Sequence, residues 1–360
     1  MDAQLAQWQE QIRSAAAARR PLRLRGSGSK DWYGGPLQGE ILDTRAWRGI
    51  LAHAPEELVL SARCGTPMRE IEQTLQQAGQ MLACEPPHFG PDATLGGVLC
   101  AGLCGPGRER YGALRDAVLG VALLDGRGDL LRFGGQVMKN VAGYDVARML
   151  PGSMGVLGLV TQVSLRLQPL PRAQVSLLLD MPQAHALQAL QRWQLAGLPL
   201  DASCYFDGQL RLRLSGLETV VAAAQREIGG AIVVNGAQFW RDVREQQLDF
   251  FLQARSLWRL AAPADAQIAA LPGRQLLEWG GALRWLALDT PPDPAFGAHL
   301  RQQLAACGGH ATLMRGATAD CPAFTPLAPA MLALQRRVKR VFDPALIFNP
   351  GRLYAGLEQD

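Results

Sequence analysis

Long apolar runs and clustered cysteines are both missing from the sequence. No stretch approaches the ~20 uninterrupted apolar residues that a membrane-spanning helix needs, so we expect no direct span and at most peripheral inner-membrane contact through a partner. The 7 cysteines contain no C-x-x-C pair, which excludes the familiar iron–sulfur spacing. Their odd number and wide spacing suit reduced thiols, so a cytoplasmic protein without a disulfide framework is expected.

Strong net charge and the common nucleotide-binding signatures are absent as well. The formal net charge is only +4 for 360 residues, and the basic residues are scattered, so no nucleic-acid partner is predicted. Neither a G-x4-G-K-[ST] P-loop nor a G-x-G-x-x-G segment opening a helix occurs. With 48% hydrophobic residues, the chain has material for a core and for two or three domains.

A glycine-serine segment follows the first predicted strand, in which Leu22 and Leu24 alternate with arginines. The segment consists of Arg25, Gly26, Ser27, Gly28, Ser29 and Lys30. Two glycines let backbone N–H groups converge on an anion, and the hydroxyls and cations can add charge-assisted hydrogen bonds. The segment therefore fits a pyrophosphate, although a turn without ligand has the same composition.

A second glycine-rich segment runs from Gly90 to Gly112. Thr94 is placed to cap a helix whose first turn contains Gly96 and Gly97. Backbone donors exposed there would suit a phosphate. Close packing of a helix on a strand explains the same glycines equally well.

Pattern changes divide the chain into three parts. Prolines 169 and 171 follow a predicted strand, so we place a boundary after residue 168. Residues 169–325 alternate strand and helix, which indicates an α+β domain with an antiparallel sheet. Residues 326–360 begin with a predicted amphipathic helix.

Seven motifs resemble, in order and spacing, the vanillyl-alcohol-oxidase (PCMH-type) FAD-binding family. They are R-G-S-G-S-K, A-T-L-G-G-V, R-Y-G-A-L-R-D-A-V-L-G, L-D-G-R-G, K-N-V-A-G-Y-D, G-S-M-G-V-L-G-L-V-T and F-D-P-A-L-I-F-N-P-G-R. The resemblance implies an α+β protein: a two-subdomain FAD-binding fold over residues 1–168, a cap domain, and a tail that returns to the FAD domain. The residues predicted to lie along FAD are Arg25, Gly26, Ser27, Gly28, Ser29, Lys30, Gly90, Thr94, Gly96, Gly97, Gly105, Arg110, Tyr111, Gly112, Gly155, Val160 and Asn349.

Within this family the chain is similar to the shorter flavin subunits of bacterial glycolate oxidases. The likeness rests on chain length, on the segment E-W-G-G-A-L-R-W from Glu278, and on F-T-P-L-A-P from Phe324. It implies oxidation of a small 2-hydroxy acid, glycolate, to glyoxylate, with a larger catalytic flavin subunit and an iron–sulfur subunit as partners. A flavin relay or assembly subunit without substrate chemistry, or a stand-alone oxidase for another 2-hydroxy acid, stays open.

The histidine motifs G-D-G-N-x-H and G-E-H-G of catalytic relatives are missing, and the 5 histidines show no paired spacing. No metal site is therefore predicted. Because Ser27 and Ser29 stand where some relatives carry histidine, we expect non-covalent FAD. Arg284 is the first candidate to clasp a substrate carboxylate, and Arg115 and Arg315 are weaker ones; a structural ion pair or a stacked arginine is the alternative for Arg284.

Overall fold

The computed structural model describes residues 2–135, 145–266, 268 and 270–359. The predicted motif K-N-V-A-G-Y-D lies outside the described residues except for its last member, Asp145. Helices of the amino-terminal part are α1 Ala3–Ala17, α2 Met68–Gln77, α3 Leu95–Ala101, α4 Arg108–Tyr111 and α5 Leu114–Ala117. Its strands are β1 Leu22–Arg25, β2 Glu40–Asp43, β3 Ile50–Ala54, β4 Val59–Arg63, β5 Gln80–Met81, β6 Val118–Leu124, β7 Leu130–Gly134, β8 Leu159–Arg166 and β9 Gln168–Pro169.

A five-stranded antiparallel sheet, in the order β3-β4-β8-β6-β7, forms the centre of this part. The predicted hairpin between β6 and β7 is confirmed, because the carboxylate of Asp125 accepts the N–H groups of Arg127 and Asp129 at 2.9 Å each and closes the turn. The predicted amphipathic first helix is confirmed too. It buries Trp8 and Ile12 against the same core.

The carboxyl-terminal segment returns to the amino-terminal part. Helix α11, Pro329–Phe342, ends at Asp343, and Leu22 forms a parallel bridge with Phe348 beside the small parallel pair β1–β2. The buried Lys339 ammonium donates to Asp343 at 2.7 Å and to two backbone carbonyls. Because both charges are paired and hydrogen-bonded, this network fixes the returning segment in the core.

The second part contains α6 Gln183–Leu195, α7 Glu218–Ile228, α8 Gly236–Arg244, α9 Asp249–Leu252 and α10 Pro294–Ala306. Its strands are β10 Ala173–Asp180, β11 Leu200–Phe206, β12 Gln209–Gly216, β13 Ala231–Ile232, β14 Ser256–Ala261, β15 Arg274–Glu278, β16 Leu283–Leu288 and β17 His310–Arg315. They form an antiparallel eight-stranded sheet in the order β13-β10-β12-β11-β15-β16-β14-β17. The antiparallel α+β cap agrees with the prediction, while the domain limits stay a prediction.

The two faces of this large sheet have different partners. One face, with Leu277 and Leu260, packs against α6, α7 and α10. The other, with Leu257 and Trp285, packs against α8 and α9 and against side chains of the amino-terminal part, among them Leu103. We call this second face the inner face. A strand residue on it points toward the amino-terminal part, and its neighbour in the sequence points away. Within the described ranges, no helix is both long and apolar enough to cross a membrane.

Candidate functional site

A groove in the amino-terminal part gathers most of the residues predicted to bind FAD. The predicted residues that line it are Arg25, Gly26, Ser27, Gly28, Ser29, Lys30, Thr94, Gly96, Gly97, Gly155, Val160 and Asn349. The lining residues that the sequence reasoning missed are Arg23, Leu24, Asp31, Leu37, Thr44, Cys64, Cys100, Ala101, Met154, Gly158, Leu159 and Arg352. Most of them lie in or next to a predicted motif, which was the available signal, whereas Leu37, Thr44 and Cys64 lie away from every motif and reach the groove only through the fold.

The glycine-serine loop lies directly against the start of α3. A Cβ on Gly26 would lie 2.2 Å from Oγ1 of Thr94, so only glycine permits this approach. Gly28 has φ 80°, the left-handed region. A carboxylate oxygen of Asp31 receives hydrogen bonds from Arg23 and Arg25. The loop is thus preformed, with its cations held at the groove.

Lys30 supplies a third cation at the end of the loop. Its ammonium donates to the carbonyl of His88 at 2.9 Å and lies 5.6 Å from the ring centre of Phe89. Ser29 Oγ donates to the same carbonyl at 2.9 Å. Burial lowers the pKa of Lys30 to about 8, with Glu245 acting in the opposite direction. Lys30 is therefore charged at neutral pH but loses its proton more readily than an exposed lysine.

Helix α3 begins as predicted. Oγ1 of Thr94 accepts the N–H of Gly97 at 3.4 Å and caps the first turn. A Cβ on Gly96 would lie 2.9 Å from Cβ of Cys64, so this glycine also lets the helix approach β4. The ligand and packing explanations for these glycines are thus compatible.

Asn349 ties the returning tail to the groove. Its Oδ1 accepts the N–H of Leu24 at 2.8 Å, and its Nδ2 donates to the carbonyl of Met154 at 2.7 Å. Gly155, with φ 73°, has room for no side chain, because an added Cβ would lie 2.6 Å from Nδ2 of Asn349. One amide therefore sets the spacing between β1 and the segment before β8.

Two thiols, Cys64 and Cys100, also line the groove. Burial raises the pKa of Cys64 to about 12 and that of Cys100 to about 11. Both remain protonated at neutral pH and are weak nucleophiles. Non-covalent attachment of FAD is still a prediction, and these pKa values are compatible with it.

Five predicted cofactor residues lie outside the groove lining. Gly90 is adjacent to the groove, because a Cβ added to it would lie 3.5 Å from Cβ of Ser29. The other four contact different partners. Gly105 lies against the carbonyl of Glu85, and Arg110 reaches the carbonyl of Leu200 at 3.5 Å and lies over Tyr111. Gly112 follows α4, which packs on β11. The structure therefore places Gly105, Arg110, Tyr111 and Gly112 toward the second part rather than along the groove.

Arg284 lies on the sheet face that points away from the amino-terminal part. It pairs with Leu260 and Leu277, both of which lie on the face that packs against α6, α7 and α10. Burial lowers the pKa of Arg284, and its Nε has no hydrogen-bond partner within the described residues. The geometry does not bring Arg284 to the groove. Of the two weaker candidates, only Arg115 lines a second cavity, which lies between the two parts of the chain.

A second cavity, of about 520 Å³, lies between the two parts of the chain. It adjoins the groove, because Ala101 lines the groove and Gly102 lines the cavity. The guanidinium of Arg108 lies 4.4 Å from the ring centre of Trp279, and that of Arg259 lies 5.1 Å from it. None of the described lining residues is acidic. We call this space the arginine cavity.

Arg259 is the most informative residue of the arginine cavity. Its guanidinium makes no hydrogen bond or salt bridge to any described residue, and burial lowers its pKa. Tyr33, Cys104 and Glu278 act in the opposite direction to burial on Arg259. Burial raises the pKa of the Glu278 carboxyl to about 7, and this carboxyl already accepts Nε1–H of Trp285 at 2.7 Å. Arg108, Arg115 and Arg259 therefore concentrate positive charge in the cavity, partly offset by the thiolate form of Cys104, and this charge favours an anionic ligand.

His310 also lines the arginine cavity. Burial and the charge of Arg259 lower the pKa of His310, so its imidazole is neutral at pH 7 and can accept a proton. No motif or spacing distinguishes this histidine from the other 4 in the sequence. Elsewhere in the described chain, no group of three or more His, Cys, Asp and Glu residues could hold a metal ion.

The groove residues fit FAD. The loop from Gly26 to Ser29, with Arg25 and Lys30, offers donors and positive charge to a pyrophosphate, while Leu159 and Val160 offer an apolar wall. A family model described as "FAD binding domain" matches residues 3–134. The fold and the groove therefore define a PCMH-type, FAD-binding oxidoreductase.

Over 97% of its length the chain is 46% identical to glycolate oxidase subunit GlcE of Escherichia coli (strain K12), of which it covers 97%. The chain belongs to this family of glycolate oxidase subunits. It is also 32% identical to glycolate oxidase subunit GlcD of Bacillus subtilis (strain 168), but only over 44% of this chain and 34% of that protein.

A solved alkyldihydroxyacetonephosphate synthase shares the fold with a TM-score of 0.65 at 16% identity, over 96% of this chain and 75% of that one.

Proposed function

We propose that this chain is the FAD-binding subunit of a complex that oxidises glycolate to glyoxylate and passes the electrons to a partner subunit. The observation that carries the proposal is the arginine cavity beside the FAD groove. A small 2-hydroxy acid offers a carboxylate to Arg259, and the cavity between the two parts of the chain has ample room for it. The identity to subunit GlcE over almost the whole chain supports glycolate as that acid.

The side chains of the cavity have separate roles in this proposal. Arg259 binds the carboxylate with its planar fork, and Arg108, on the same indole, adds a second cation. Trp279 holds the two guanidinium groups in place, because its own Nε1–H is fixed to the carbonyl of Gly105 at 3.1 Å. The neutral imidazole of His310 accepts the proton of the substrate hydroxyl. FAD, when bound, supplies the two-electron acceptor.

The decisive experiment mixes the FAD-loaded chain with glycolate without oxygen. We expect the yellow absorbance of the flavin to disappear rapidly, and we expect the same protein to retain its colour with ethanol, which has no carboxylate. Persistent colour with glycolate contradicts an oxidising site in this chain. FAD should leave the protein on denaturation, and flavin that stays attached contradicts non-covalent binding.

A second candidate is a flavin relay or assembly subunit without its own substrate chemistry. The absence of the histidine motifs found in catalytic relatives favours it. Persistent yellow colour of the isolated chain with glycolate, together with bleaching in the assembled complex, would support this candidate.

The partners we propose are a larger catalytic flavin subunit and an iron–sulfur subunit. The similar Escherichia coli protein is named as a subunit, which supports an assembly. Purification of the tagged chain from its native source, followed by mass spectrometry, tests this: both partners are expected, and recovery of the chain alone contradicts the proposal.

A further inference from the structure

Cys104 stands between two cavities. It lines the arginine cavity and also a smaller space beside Glu278 and Arg259. Its side chain is half-buried, whereas Cys84, on the neighbouring segment, is fully buried. A thiol at a cavity wall is open to small reagents that the protein core excludes.

The surroundings of Cys104 favour its thiolate. The backbone N–H of Leu114 points at Sγ of Cys104 at 3.2 Å. The neighbouring thiol of Cys84 is the main cause that lowers the pKa of Cys104; burial opposes this, and the N–H of Leu114 and the charges of Arg108 and Arg259 reinforce it. The same interaction raises the pKa of Cys84, which therefore stays protonated.

The backbone keeps these two thiols together. The N–H of Gly105 donates to the carbonyl of Cys84 at 3.0 Å, and the N–H of Gly107 donates to Oε2 of Glu85 at 2.7 Å. A Cβ on Gly105 would lie only 2.3 Å from the carbonyl oxygen of Glu85. The two segments thus meet at a distance that only glycine allows, which places Cys84 and Cys104 on adjacent stretches of backbone.

We propose that Cys104 and Cys84 form a dithiol that hydrogen peroxide converts to a disulfide, with Cys104 as the attacking sulfur. The thiolate of Cys104 attacks one peroxide oxygen and the O–O bond breaks; after proton uptake, water leaves and a sulfenic acid remains on Cys104. Cys84 then attacks that sulfur, and its thiol proton leaves with the hydroxyl group as a second water. In total, two thiols and one hydrogen peroxide give one disulfide and two waters.

This dithiol stands apart from the groove thiols. Cys100, in the last turn of α3, lines the FAD groove and is protonated at neutral pH because burial raises its pKa to about 11. Cys307 is half-buried like Cys104, but its Sγ donates to the carbonyl of Leu304 at 3.1 Å and receives no N–H from a described residue. Cys307 is therefore the matched internal control, because its thiol is about as exposed as that of Cys104 but receives no activating N–H from a described residue.

The test treats the FAD-loaded chain with one equivalent of hydrogen peroxide and maps cysteine peptides by mass spectrometry. We expect a Cys84–Cys104 disulfide to form about fivefold faster than any oxidation of Cys307, because a thiolate reacts and a thiol does not. In C84S, dimedone should trap a sulfenic acid on Cys104; in C104S, Cys84 should remain reduced. Far-ultraviolet circular dichroism and FAD binding verify that both variants are folded.

Three outcomes would overturn the proposal. They are oxidation of Cys307 at the same rate as Cys104, the absence of the crosslink when other thiols react, and unchanged oxidation of Cys84 in C104S. Occupation of the arginine cavity by oxalate, a dicarboxylate without an oxidisable hydroxyl, should slow the reaction of Cys104. If oxalate does not slow the oxidation of Cys104, only the substrate proposal is contradicted, because the crosslink is measured in the absence of oxalate.

Discussion

Arg213 in β12 and Glu85 in the amino-terminal part join the two parts of the chain by a two-point salt bridge. Nη1 lies 2.9 Å from Oε1 and Nη2 lies 2.8 Å from Oε2, while Nε of Arg213 donates to Asp201 at 2.6 Å. Burial by itself lowers the pKa of Arg213, but the two carboxylates raise it well above its ordinary value. This fully paired, buried cation is therefore one of the contacts that join the two parts, beside the hydrogen bond of Trp279 to Gly105 and the packing around Leu103.

Replacement of this cation should strongly destabilise the protein. R213M leaves the carboxylates of Glu85 and Asp201 without their partner, and breaking a buried pair in this way costs about 3–5 kcal/mol. Chemical denaturation followed by circular dichroism measures the loss. The matched control is E40Q, which breaks the salt bridge of Glu40 with Arg20 where both side chains are 54% exposed; we expect almost no change, because exposed pairs contribute little. Equal effects would contradict the role given to Arg213.

The close approach of Gly26 to Thr94 predicts a selective loss of cofactor binding. G26A places a methyl group 2.2 Å from Oγ1 of Thr94, so the loop must move away from α3. We expect FAD affinity, measured by the fluorescence change of free FAD, to fall about tenfold or more, the equivalent of ~1.4 kcal/mol. G216A is the control, because its added Cβ would meet only Pro199, at 3.9 Å. Unchanged affinity in G26A would contradict the loop as the pyrophosphate site.

Lys30 predicts that FAD binding weakens in alkaline solution. The pKa of Lys30 is lowered to about 8 in the chain without FAD, so the ammonium is charged below pH 8 and increasingly neutral above it. An anionic pyrophosphate favours the charged form, and FAD affinity should therefore decrease as the pH rises from 8 toward 10. Fluorescence titrations over this range measure it.

The control for this pH effect is K30M, which keeps the apolar stem and removes the titrating group. It should bind FAD more weakly at pH 7 and should lose the decline that begins near pH 8. A decline of the same size in K30M would assign the pH effect to another group.

Local patterns predicted much of the groove but little of the arginine cavity. The glycine-serine loop and the Thr94 cap are short-range features, since a strand, its loop and a helix start are read from adjacent residues. Asn349 lies 325 residues from Leu24, its hydrogen-bond partner, and only the resemblance of the N-P-G-R motif indicated its place.

The choice among arginines depended on information that the sequence does not contain. Arg259 and Arg284 occupy neighbouring strands, and which face each points to is set by register, where a shift of one residue exchanges the two faces. Strand β14 itself was missed, although a lone arginine amid the apolar residues of S-L-W-R-L-A was a visible signal. On the four-residue helix α4, Arg108 enters the cavity and Arg110 reaches β11.

The two sheet faces allow a direct comparison of Arg259 with Arg284. R259M should weaken glycolate or oxalate binding about 10- to 100-fold, because charge-assisted hydrogen bonds contribute ~1.5–3 kcal/mol. R284M replaces an arginine on the far face of the sheet, opposite Leu260 and Leu277, and should leave acid binding unchanged. Titration of the FAD-loaded variants with oxalate, followed by flavin absorbance, measures both.

Replacement of Arg259 should not lower the stability of the protein, in contrast to replacement of Arg213. Removal of a structural arginine destabilises a fold. Arg259 makes no hydrogen bond or salt bridge to a described residue, so R259M removes a desolvated cation and loses only its contact with Trp279 and the attraction of Cys104 and Glu278. We therefore expect R259M to unfold at an equal or higher denaturant concentration than the unmodified chain in the absence of oxalate. Oxalate should stabilise the unmodified chain and leave R259M unaffected, because only a protein that binds the anion gains stability from it. A large loss of stability in R259M would instead identify Arg259 as a packing residue.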